Sequence, residues 1–90
     1  MKIILKQAGG LAGRRVVLQL DTADLADDGG SVEALARTVA AQSIAPAPVH
    51  PDGLAYTLVI DTREVRATDG SATPEFIRLA GEVRARGKAG

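Results

Sequence analysis

Ninety residues leave room for one domain, since a single core usually serves on the order of 100 to 150 residues, and 46% hydrophobic with 24% charged residues excludes a disordered chain. Eleven Lys and Arg balance eleven Asp and Glu, so the positive field that draws a protein to nucleic acid or anionic lipid is missing. One tyrosine, one phenylalanine and no cysteine further exclude a base-stacking platform, a disulfide framework and thiolate chemistry.

The opening Met1-Lys2-Ile3-Ile4-Leu5-Lys6 has too short an apolar run and no small-residue cleavage site, so it does not read as a signal peptide. No apolar run approaches the roughly 20 residues that span a bilayer. The expectation is a soluble, cytoplasmic chain, monomeric when free, with no membrane or nucleic-acid partner.

Residues 2 to 8 and 14 to 20 alternate as two strands of a hairpin, with Ile3 and Leu5 on one face and Val16, Leu18 and Leu20 facing the same core. Lys2, Lys6, Arg15 and Gln19 point the other way, together with Ile4 and Val17. After a polar turn, Asp27-Asp28-Gly29-Gly30, Ser31 reads as the N-cap of a helix from about 32 to 43, with Val32, Leu35, Ala36, Val39 and Ala40 as its apolar stripe. The three prolines of residues 44 to 53 bar a regular element there, and Pro51-Asp52-Gly53 closes that connector with a turn.

Leu54 to Ile60 alternates strongly enough for a central strand. A tight turn near Asp61 and Thr62 leads into residues 63 to 68, where Glu64 and Arg66 around Val65 and Ala67 suit an edge strand. Thr73 caps a second helix that opens on Pro74 and Glu75, buries Phe76, Leu79, Ala80 and Val83, and ends with Arg84 and Arg86 before Gly87. The expected fold is α+β: a four-stranded antiparallel sheet in the order β-β-α-β-β-α, with both helices on one face. Its expected core is Leu5, Val16, Leu18, Leu35, Val39, Tyr56, Leu58, Phe76, Leu79 and Val83.

Catalytic chemistry finds no footing. The single histidine, His50, lies in the proline-rich connector, where it reads as an exposed loop residue, and one His without Cys does not supply a zinc enzyme's ligands. Asp21, Asp24, Asp27 and Asp28 lack the spacing and closing Glu of a calcium loop and read as solvated turn acids. Asp61 and Glu64 sit at a strand turn with nothing to shape a pocket. Gly9-Gly10-Leu11-Ala12-Gly13 leads into a strand, so no helix N-terminus follows to hold a phosphate. No metal, cofactor or catalytic residue is expected. Within that glycine loop Leu11 either tucks over the sheet edge or forms a ligand-contacting tip, since a leucine on a rigid hairpin loses little entropy on entering a partner's pocket.

Met1-Lys2-Ile3, the Gly9-Gly10-x-Ala12-Gly13 loop and Pro51-Asp52-Gly53-x-x-Tyr56-x-Leu58-x-Ile60 resemble, in joint order and spacing, the emfourin family of protein inhibitors of protealysin and related thermolysin-like metalloproteases. The resemblance spans most of the chain and implies a cytoplasmic, non-enzymatic inhibitor that binds the active-site cleft of a zinc protease, the zinc belonging to the target. Such proteases favour a bulky apolar residue on the primed side of the cut. Gly9, Gly10, Leu11, Ala12 and Gly13 are then the candidate protease-binding residues, with Leu11 filling that subsite. Two other classes stay open: a generic protein-interaction module using the Ile4, Val17 and Val59 sheet face, and a small-ligand carrier, which requires a large internal cavity.

Overall fold

The computed structural model describes residues 1–9, 14–25, 29–42, 54–68 and 70–89. Strands β1 (Lys2–Gly9) and β2 (Arg14–Asp21) pair antiparallel from Lys2 opposite Asp21 to Gly9 opposite Arg14. A short 3-10 helix, Thr22–Asp24, and helix α1, Gly29–Ala41, follow. Then come β3 (Leu54–Ile60), β4 (Arg63–Thr68), α2 (Pro74–Arg86) and a two-residue β5 (Lys88–Ala89).

Among the described residues the sheet therefore has five strands, not four, in the order β4-β3-β1-β2-β5, and every pairing is antiparallel. The two hairpins join through their first strands, with Leu5 opposite both Leu18 and Leu58. The fifth strand exists because the chain continues past α2 at Gly87, whose extended backbone turns it alongside β2. A Cβ at Gly87 would stand 2.4 Å from the Val83 carbonyl oxygen and 2.9 Å from that of Gln19, so only glycine allows this approach.

One face of the sheet is buried. Ile3, Leu5, Leu20, Leu58, Ile60, Val65 and Ala67 pack with Val32, Ala36 and Val39 of α1 and Phe76, Leu79, Ala80 and Val83 of α2. Burying a side chain the size of Leu58 or Phe76 is worth about 1.5 to 3 kcal/mol relative to leaving it exposed. Leu18, Leu35 and Tyr56 are half-buried against this cluster.

Val16 is the exception among the expected core residues, at 40% exposed. It faces the helix side of the sheet, but among the described residues β5 pairs only with Leu18 and Gln19, and across from Val16 stands Gln7, which accepts a hydrogen bond from Arg84 at 3.1 Å. A polar pair thus occupies the level of the sheet where Val16 would need apolar cover.

Helix α1 begins earlier than expected, so Ser31 lies inside it rather than capping it. Gly29 is buried and packs so close to the Thr22 carbonyl oxygen that a Cβ would sit 2.9 Å from it. The first glycine of the pair that signals a turn in sequence serves close packing against the 3-10 helix, whereas a Cβ at Gly30 would meet open space. Helix α2 matches expectation, with the Thr73 hydroxyl accepting from the Phe76 amide at 3.2 Å and Pro74 in its first turn. Asp61, at φ 54°, makes the β3–β4 turn in the left-handed region that aspartate tolerates.

Candidate functional site

The pairing register collects four strand ends at one end of the sheet. Gly9 lies opposite both Arg14 and Leu54, and Ala55 lies opposite Thr68. Gly9 leaves β1 at φ 109°, a conformation closed to side-chain-bearing residues, which accounts for a glycine at the exit of the strand. Of the candidate binding residues, Gly9 is placed here; Gly10, Leu11, Ala12 and Gly13 lie outside the described residues, as do His50 with the whole 44 to 53 connector, the Asp27-Asp28 turn and Asp69.

The same end carries the meeting of the two helices. Gln42, just past α1, accepts from the Thr73 hydroxyl at 2.7 Å and donates to Glu75 at 3.2 Å. Ser71 closes the approach to α2, its hydroxyl accepting from the Thr68 amide at 2.9 Å while its own amide donates to the Thr68 carbonyl at 3.1 Å. The connections 10–13, 43–53 and 69–73 therefore all have an anchor at this end.

Beside it runs an open apolar groove between β3 and α2, lined by Tyr56, Ala72, Phe76, Ile77, Ala80 and Arg84. Tyr56 meets Phe76 edge-on at 6.5 Å between centroids, and the Arg84 guanidinium lies 5.7 Å above the Tyr56 ring. Ile77 is 57% exposed on its rim. The signal for this groove in the sequence is an isoleucine that falls off the apolar stripe of α2. Arg84 reads in sequence as a partner of the helix dipole; in the structure it also bridges Tyr56 and Gln7. The groove is half-open to solvent.

Three of the carboxylates singled out in the sequence, Asp21, Asp61 and Glu64, are engaged structurally. Asp21 accepts from the Ala23 amide at 3.0 Å and lies 3.8 Å from the N-terminal amine. Asp61 accepts from the Lys2 amide at 3.0 Å, and Glu64 pairs with Arg66 at 2.6 Å. Among the described residues no three His, Cys, Asp or Glu side chains group to hold a metal ion. No helix among them is long and apolar enough to cross a membrane.

Residues 5–84 match the family model described as Emfourin. No curated protein and no solved structure matches the chain.

Proposed function

Because the chain belongs to the emfourin family, we propose that it is a protein inhibitor of thermolysin-like zinc metalloproteases that seats the loop end of its sheet in the protease active-site cleft. The family match across residues 5–84 carries this reading. It is supported by the glycine-only exit at Gly9, which starts the 10–13 loop from a strand held on both sides, by Arg14 and by Leu54.

In this reading Gly9, Gly10, Leu11, Ala12 and Gly13 contact the protease, and Leu11 fills the apolar primed-side subsite. The zinc is the protease's own; the inhibitor contributes shape and no ligand set. A loop held across the cleft resists cleavage when its peptide bonds sit away from the geometry of attack. The expected setting is cytoplasmic, with a monomeric free inhibitor.

The test is inhibition by Leu11 variants. Leu11→Ala is expected to weaken inhibition by roughly 2 kcal/mol, about thirtyfold, as for a buried hot spot. Leu11→Asp is expected to weaken it further by driving an unpaired carboxylate into an apolar subsite. Thermal midpoints measured alongside separate contact with the protease from packing on the sheet. Unchanged inhibition in both folded variants removes Leu11 from the mechanism. If the parent chain inhibits no such protease at micromolar concentration, the interaction-module reading takes over, supported by Val17, 39% exposed on the sheet face away from the helices.

A further inference from the structure

The two outer edges of the sheet are built differently. Strand β4 carries exposed charge of both signs, Arg63, Glu64 and Arg66, the last two paired at 2.6 Å. Strand β2 is covered by β5 only at Leu18 and Gln19, so the outer edge of Arg14–Val17 has no strand neighbour among the described residues. That open stretch carries Val16 and Val17, 40% and 39% exposed on opposite faces.

An uncovered edge offers alternate backbone N–H and C=O groups, and what satisfies such a row is another extended backbone. The charges beside it select which one. Lys6 lies directly across from Val17, and Arg15 precedes Val16; both are exposed, and neither has a carboxylate partner among the described residues. Arg84 adds a third positive charge on the helix side, next to Gln7. A second copy of the chain, pairing edge to edge, would bring these cations together, and facing like charges oppose strand pairing.

We infer that the open edge of β2 over Arg14–Val17 takes an extended, acidic segment of the target protease as an added strand. This inference rests on the protease reading above and adds to it a second contact, directly continuous with the 10–13 loop. Main-chain hydrogen bonds supply the attachment, Val16 and Val17 pack against alternate side chains of the added strand, and Lys6 and Arg15 attract its carboxylates.

The test uses the full chain and a thermolysin-like protease that it inhibits. Hydrogen exchange in the complex is expected to slow by roughly tenfold or more at the outward amides of residues 14–17, with β4 unchanged. The double variant Lys6→Glu, Arg15→Glu is expected to associate about tenfold more slowly at low ionic strength, the gap closing as salt is added, while Arg63→Glu on β4 stays within about twofold of the parent. Inhibition with unprotected β2 amides, or association indifferent to the charge reversal, overturns the added strand and leaves the protease reading standing. Protection of these amides in the free chain, growing with its concentration, overturns it in favour of self-pairing. Absence of any complex removes the protease reading and the added strand with it.

Discussion

The two ends of the sheet are finished in opposite ways. At the end where β1 begins, main-chain and side-chain bonds tie distant segments: Lys2 and Asp61 exchange bonds of 3.0 and 2.8 Å, and the Thr22 amide reaches the Met1 carbonyl at 2.9 Å. The buried Thr22 hydroxyl donates to Glu33 at 2.6 Å, and the N-terminal amine lies within 4.0 Å of both Asp21 and Glu33. At the opposite end the strands stop at Gly9, Arg14, Leu54 and Thr68, and longer connections take over. The difference sets an end whose polar groups bond within the chain against an end where connections leave the sheet. Short turns and cross-bonds spend the polar groups of the first end on the chain itself, whereas loops on a rigid frame are where binding residues gather.

The largest expected effect lies under the loop end. Phe76, 1% exposed, forms the floor of the groove beside Tyr56, and Phe76→Ala should cost about 3 to 5 kcal/mol in denaturant unfolding. A cost below about 1 kcal/mol would mean that the loop end lacks a firm base, and the contrast between the ends would fail. Next is Thr22→Val at the tied end. It removes a hydroxyl bonded to a carboxylate and should cost about 1.5 to 3 kcal/mol, with protease inhibition by the folded protein within about twofold of the parent. A large loss of inhibition would bring the tied end into the interface.

Smallest in stability is Thr73→Ala, which deletes the α2 cap and its bond to Gln42, for about 1 kcal/mol. Because Gln42 is the residue from which the 43–53 connection departs, inhibition should fall by more than the stability loss predicts and by more than in Thr22→Val. Equal inhibition in the two variants would separate the helix junction from the binding surface.

Much of the fold is legible in the residues because local signals and tertiary packing agree. Leu54–Ile60 alternates and is a strand over those same residues; Thr73, Pro74 and Glu75 start a helix there. Disagreement arises where glycine serves packing instead of turning. Gly29 looks like a turn residue but lets α1 approach Thr22, and Gly87 looks like a stop but admits β5 against β2. Val16 has the periodicity of a core residue, yet it lies across from the meeting of Gln7 and Arg84, which is not encoded in the strand itself. For the site, the glycine at the exit of β1 is readable, and its φ of 109° gives the reason. The groove and the open β2 edge depend on helix placement and strand order, which lie beyond local periodicity.

The central position of β1 also bears on how quickly the chain folds. The β1–β2 and β3–β4 ladders join strands adjacent in sequence and close short loops, so each hairpin forms on the microsecond scale, roughly 1 to 10 μs. The β1–β3 seam brings Leu5 to Leu58, more than half the chain away, and must wait for that long closure. The seam between the hairpins is therefore expected to be the slow step of assembly, since it closes a loop that runs through β2 and α1.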